Sequence, residues 1–346
     1  MIELKIKENE AGQRLDKYLH KYMKEAGTGF LYKMLRKKNI TLNGKKASGS
    51  EKLCVGDAVR LFLSDETVKK FGGLSGAGEE AEYAKAREIR QYSMACKRFG
   101  KLEIVFENRH ILVVNKPSGI LTQKAGAEDV SLNEWLTGYL LESGALTEEE
   151  LHTFHPSVCN RLDRNTSGMV ICGKTLLGSQ KISEILRDRS LRKYYRLYVK
   201  GYVREAALIE GYLMKEEQTN TVRLTKQAEG ASYIKTYYKP LKHYEDVTLL
   251  EAELITGKTH QIRLHLSGTG HPVIGDYKYG EREINERYRK KYGVKNQLLH
   301  AYRLEFPVME GEFKDLSERT LVAEVPEIFV RIAKLEGKSA CGVAVD

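Results

Sequence analysis

The sequence predicts an α+β protein in two parts. A small N-terminal α+β unit precedes a larger unit built on a mixed, largely antiparallel sheet. Three observations lead there. The chain has 346 residues, more than one ordinary core holds. After about residue 100, strand-like segments outnumber helical ones and do not alternate with them, which disfavours a doubly wound arrangement. The net charge is +10, and the first 64 residues alone hold fourteen Lys or Arg against seven Asp or Glu. A local basic excess suits a polyanion partner, most simply RNA or DNA.

The elements follow in order. In RLDKYLHKYMKEAG, Leu15, Tyr18, Leu19, Tyr22, Met23 and Ala26 recur at helical spacing, with Lys17, Lys21 and Lys24 off the stripe. Thr28 is the expected N-cap of a second helix whose apolar face is Leu31, Met34 and Leu35. Lys33, Arg36, Lys37 and Lys38 lie outside that face. The Asn43-Gly44 pair predicts a tight hairpin turn, followed by Lys45 and Lys46. Val59, Leu61 and Leu63 alternate as in a strand. Residues 65–100 read as a linker, partly helical after GGLSGAG at 72–78, and 337–346 read as a tail.

Between 101 and 336 the predicted strands are EIVF, HILVVN, SGMVICG, YYRLYVKG, TVRLTKQ, SYIKTYYKPLKHY, VTLLEAELITG and LLHAYRLEFPV. The predicted helices are SLNEWLTGYLLESG, LLGSQKISEILRDR and IRLHLSGTG.

Several function classes have no support. The longest apolar runs, such as ILVV and MVIC, are strand-sized, and MIELKIKENE lacks a signal core, so a cytoplasmic protein without membrane contact is expected. The five cysteines form no CxxC pair. There is no HExxH, P-loop or nucleophile elbow, so neither a metal nor a nucleotide cofactor is expected.

The stretch CNRLDRNTSG at 159–168 holds the chemistry-bearing candidate. Asp163 stands between Arg161 and Arg164, and neighbouring opposite charges favour the ionised form. A positioned carboxylate can serve as nucleophile or base at a sugar carbon. A structural Arg–Asp pair fits the same spacing.

The wider pattern resembles a known family. VVNKPSGILTQ, PSVCNRLDRNTSGMVICGK, KYYRLYVKG, ELITGKTHQIRLHLSGTGHPVIGDYKYG and LLHAYRLEFP resemble, in order, the motifs of pseudouridine synthases that act on large-subunit ribosomal RNA. Residues 1–64 resemble the S-four type RNA-binding domain found in members of that family. The resemblance implies Asp163 as the catalytic aspartate and Arg263 as its basic partner. It implies Tyr195 as the tyrosine that packs on the target base and assists proton removal at C5. Arg161 would fill the gap that the flipped base leaves. Lys33, Arg36, Lys37, Lys38, Lys45 and Lys46 would contact RNA, with Asn160 and Arg164 as further substrate contacts. No cofactor is implied, and the chain is read as a monomer with RNA as partner. Asn160 departs from the histidine usual there, and Lys258 from an arginine. The alternatives are a tRNA pseudouridine synthase, or a non-catalytic RNA-binding or ribosome-assembly protein on the same scaffold.

Overall fold

The computed structural model describes residues 1–71, 79–216 and 221–339. Residues 72–78 of the expected linker, the end of the expected tail and Cys341 lie outside the described residues.

Strand β1 (Ile2–Lys5), helices α1 (Leu15–Tyr22) and α2 (Thr28–Arg36), and strands β2 (Ile40–Leu42), β3 (Lys45–Lys46) and β4 (Ala58–Leu61) form the N-terminal unit. Its sheet is antiparallel, ordered β1-β4-β2-β3. The expected stripes close its core: Leu15, Leu19, Met23, Leu31 and Leu35 pack with Ile40, Val59 and Leu61. Asn43 and Gly44 both take positive φ, as a two-residue hairpin turn requires. Thr28 is not the cap. Gly27 holds that position and Thr28 begins the helix.

Residues 65–71 and 79–99 of the expected linker are helical. Helix α3 (Asp65–Phe71) follows β4, and α4 (Glu79–Phe99) runs into the larger unit. There Tyr92 and Ala95 enter the main core. A Cβ on Gly138 would lie 2.6 Å from Cys96 Sγ and 2.8 Å from the Tyr92 carbonyl, so α4 packs closely on the next helix. Alternating charge hid this face in the sequence.

The larger unit continues with β5 (Glu103–Glu107), β6 (Ile111–Lys116), α5 (Leu132–Glu142), β7 (Ser157–Val158), β8 (Ser167–Gly173) and α6 (Leu176–Arg187). Then come β9 (Arg192–Lys200), β10 (Ala207–Glu216), β11 (Thr221–Thr225), β12 (Ser232–His243) and β13 (Val247–Leu254). Helices α7 (Gln261–Gly268) and α8 (Arg282–Tyr292), strands β14 (Leu299–Glu305) and β15 (Thr320–Val322), and α9 (Glu327–Ser339) complete it. Strand β10 and helices α8 and α9 were not expected. Yet Ile284, Tyr288 and Tyr292 of α8 are buried at helical spacing, a pattern legible in REINERYRKKY.

The sheet has eleven strands, with the path β11-β10-β12-β13-β9-β14-β8-β6-β5 and with β15 and β7 attached to β14 and β8. Among the described residues only β14 and β8 pair in parallel. That contact is close. Gly168 has φ +113°, and a Cβ there would lie 2.3 Å from the Ala301 carbonyl oxygen. The glycine of NTSG is therefore needed for β8 to sit beside β14, with the Asp163 loop just before it.

Candidate active site

The loop carrying Asp163 is pinned from several sides. Asn160 donates to the Met169 carbonyl (3.3 Å) and accepts from the Ile171 amide (2.7 Å), clamping the loop to β8. Thr122 Oγ1 donates to the Leu162 carbonyl at 2.7 Å. Thr166 N donates to the Asp163 carbonyl, closing a turn, and Gln297 holds Thr166 Oγ1 at 3.0 Å. Lys116, the lysine of KPSG, is fully buried, and its ammonium donates to the carbonyls of Pro117, Ile120 and Arg164. Burial pushes Lys116 down to about 7, with the nearby Asp163 charge opposing the fall.

Asp163 itself is quarter-exposed and lines a cleft of about 930 Å³. Neither flanking arginine pairs with it. Arg161 is exposed on the cleft wall, and Arg164 Nε donates to the Gly119 carbonyl at 3.2 Å. The partner of Asp163 is Arg263, one hundred positions later, whose Nη1 donates to Oδ2 at 2.8 Å. The other edge of the guanidinium is taken by Asp276 in a bidentate pair, Nε to Oδ2 at 2.7 Å and Nη2 to Oδ1 at 2.8 Å. Asp276 is 1% exposed. Burial raises its carboxyl, but the Arg263 hydrogen bonds and charge and the Lys278 and Tyr279 amides outweigh that, holding it below its ordinary range.

Helix α7 presents Arg263 because its start is fixed by side chains. Gln261 accepts from Thr256 Oγ1 and the Lys258 amide, and donates to Lys235 O and Thr236 Oγ1. His260, at the N-cap, has φ 57°. Its Nδ1 pairs with the Tyr279 hydroxyl at 2.8 Å, and its Nε2 lies 3.8 Å from Asp163 Oδ2. Burial lowers His260, Asp163 resisting, so the ring is neutral at pH 7. The Tyr279 ring lies 4.9 Å from the Arg263 guanidinium.

Tyr195, on β9, is 6% exposed and lines the same cleft. Burial first, and the Asp163 charge second, raise its phenol. It therefore stays protonated, suited to packing and to donating a hydrogen bond. A standing phenolate is therefore not what it offers to proton removal at C5.

The structure thus brings Asp163, Tyr195, Arg263, Arg161 and Asn160 to one cleft. The polar atoms of Asn160 are occupied by backbone, and Arg164 ties the Asp163 loop to the KPSG turn rather than to the carboxylate. Lys33, Arg36, Lys37, Lys38, Lys45 and Lys46 stand on α2, the turn after it and the β2–β3 hairpin. All six are exposed, and none takes an acidic partner among the described residues. Sequence reasoning missed Lys116, His260, Asp276 and Tyr279. Lys116 and Asp276 sit inside quoted motifs, in KPSG and GDYKYG, but their burial is not a sequence property. No group of His, Cys, Asp or Glu fit to hold a metal occurs among the described residues.

The family model described as RNA pseudouridylate synthase matches residues 110–268, which span both Asp163 and Arg263. A Haemophilus ducreyi protein named ribosomal large subunit pseudouridine synthase C is 30% identical over 302 residues, covering 87% of this chain and 86% of that protein. The protein of the same name from Vibrio parahaemolyticus is 29% identical over 309 residues, covering 87% of each. In fold, the chain is similar to human RNA pseudouridylate synthase domain containing 4, with a TM-score of 0.56 and 20% identity, over 71% of this chain and 96% of that one. With motif order, cleft geometry and near-full-length alignment in agreement, this chain belongs to the RNA pseudouridylate synthase family and is an isomerase that acts on RNA.

Proposed function

We propose that the chain converts uridine to pseudouridine in large-subunit ribosomal RNA, with Asp163 as the catalytic carboxylate. The observation that carries the reading is the Asp163–Arg263 pair, 2.8 Å long and joined across one hundred residues beside the buried Tyr195. A stacked uridine hides its glycosidic bond, so the target must be turned out into the cleft. Arg161, exposed on the cleft wall and without a partner among the described residues, is free to occupy the gap left in the stack. Arg263 and His260 both approach Oδ2 of Asp163, while Oδ1 meets no donor among the described residues. Oδ1 is therefore the oxygen available to the ribose. The N1–C1′ bond breaks, the uracil turns about, and C5 bonds to C1′; the proton that then leaves C5 is balanced by one taken up at N1, so uridine and product are isomers. Neither oxidant nor water is consumed. Tyr195 supports the base by packing, its hydroxyl protonated.

The ribosomal target rests on the names of the relatives. Residues 1–64 serve as an S-four type RNA-binding unit, a reading supported by the six exposed cations of α2, the turn after it and the β2–β3 hairpin. The catalytic unit is taken from 79 rather than 101, because α4 packs on α5.

Asp163→Asn in the full chain is expected to abolish pseudouridine formation while RNA binding is kept. Turnover retained by the purified variant would sink the assignment. Mapping pseudouridines across total RNA with and without the gene tests the target, and changes confined to tRNA would move the reading there.

A further inference from the structure

One cation of the cleft has no task in the chemistry above. Lys193 lies two residues before Tyr195 on β9, so both side chains leave the same face of the strand. It is 9% exposed and lines the cleft, yet its ammonium has no hydrogen-bond acceptor and no ion pair among the described residues. The contrast with Lys116 is direct, since that buried ammonium reaches three carbonyls. Glu253, whose charge favours the Lys193 ammonium, is already held by Arg192 on the opposite face at 3.0 and 3.1 Å. A second cation stands beside Lys193 in the cleft. Arg189, in the turn after α6, is exposed, has φ 65°, and likewise has no acidic partner among the described residues. Burial and then the Arg189 charge lower Lys193, so the protein itself offers this ammonium more repulsion than attraction. A buried cation without a counter-ion is costly. Among the described residues Asp163 is the one acid lining the cleft, and it belongs to Arg263.

We propose that Lys193 and Arg189 form an anion subsite that holds the phosphodiester adjoining the nucleotide turned into the cleft. The proposal rests on the reading that this cleft receives RNA. Two residues of strand span about 7 Å. A base lying on Tyr195 therefore carries its own backbone toward Lys193, and the phosphate supplies the acceptor oxygens that the protein withholds. The subsite would register the backbone, not the base sequence.

The test is a cycle between protein and RNA. The RNA is a stem-loop around a uridine that pseudouridine mapping assigns, with one neutral methylphosphonate linkage placed in turn on either side of it. Wild-type enzyme is expected to lose about tenfold in affinity at one linkage only, the usual scale for one charge-assisted contact. Lys193→Met should lose about as much on unmodified RNA and nothing further at that linkage. Lys193→Arg should restore most of the affinity. Arg189→Gln, at an exposed site that folding does not need, should show the same loss of sensitivity on a smaller scale. In each case KM should rise more than kcat falls. If Lys193→Met and Arg189→Gln both keep the full methylphosphonate penalty, the subsite is wrong. A Lys193 that served only to pack Tyr195 would lower kcat equally on neutral and charged linkages, which also overturns it. Pseudouridine formation by wild type on unmodified RNA is scored separately, so failure of the proposed function is distinguishable from failure of the subsite.

Discussion

The cations of the N-terminal surface and those that hold the Asp163 loop and carboxylate are placed in opposite ways. In the N-terminal unit, Lys33, Arg36, Lys37, Lys38, Lys45 and Lys46 are all exposed and none is tied to an acid among the described residues. In the larger unit, Arg263 and Lys116 are buried and fully engaged, one between two carboxylates and the other among three carbonyls. Surface cations attract a polyanion from a distance and are individually dispensable. Buried cations set geometry, and each is expensive to lose. The difference teaches that net charge locates an RNA-facing surface, but says nothing about which cation serves the chemistry.

The largest effect should come from breaking the buried side of that comparison. Arg263→Met leaves Asp163 and Asp276 without the guanidinium between them. Single-turnover rates should fall on the order of 10³-fold, and urea melts should show a loss of about 3–5 kcal/mol. Arg263→Lys keeps charge but not the fork, and should recover only part of either. A rate within tenfold of wild type for Arg263→Met would break the contrast.

Lys116 comes next. Its folded-state pKa of about 7 lies below the ordinary lysine value. Between pH 7 and 10.5 the unfolded chain therefore binds more protons, and stability rises with pH. The cost of burying the ammonium is complete below pH 7 and vanishes above 10.5. Lys116→Met should lose this rise, so the stability difference between wild type and variant should change by up to about 4 kcal/mol across the window. Urea melts at pH 7 and pH 10 measure it.

A smaller effect concerns two buried histidines. Burial pushes both His265 and His300 down to about 4. Each has one nitrogen bonded to a hydroxyl, Thr236 and Ser167 respectively, and the Nε2 of His265 meets no partner among the described residues, while the Ala323 backbone partly offsets the burial of His300. Below pH 6.5 the unfolded chain takes up protons that the folded state refuses, so stability falls from pH 6.5 to about 4. The expected loss is roughly 2–3 kcal/mol per histidine. His265→Gln should flatten that part of the profile.

The smallest effects belong to the exposed side. Charge-neutral substitutions at Lys37 or Lys45 should leave the melting temperature unchanged and weaken RNA binding modestly. Each should reduce the slope of log affinity against log salt by about 1. Replacement within the whole chain is the cleaner design. The N-terminal unit is tied to the rest by Glu8 to Arg109 and by Glu10 to the buried Thr153, so deletion would disturb more than charge.

Much of the fold was readable because its signals are local. The stripe of Leu15, Leu19, Leu31 and Leu35 and the runs ILVV and MVIC mark elements that the structure contains. The misses have local causes too. In α4 alternating charge masked a buried face, and Thr28 lay one residue inside the helix it was expected to cap. At the site, ordered motifs singled out Asp163, Tyr195 and Arg263, and all three line one cleft. The spacing of RLDR alone pointed to the wrong partners, since neither Arg161 nor Arg164 touches the carboxylate.

What the amino-acid order determined by itself was the kind of each element, the surface that gathers cations, and the short list of residues able to do chemistry. These depend on periods of two and 3.6 residues and on composition, which a chain carries locally. What only the tertiary structure decided was partnership. Arg263 meets Asp163, Asp276 backs it, and Lys193 is left without an acceptor among the described residues because β8, β14 and β9 lie side by side and α7 packs against β11 and β12 of the same sheet. Strand order and the burial it imposes are long-range results of packing, and no local pattern encodes them.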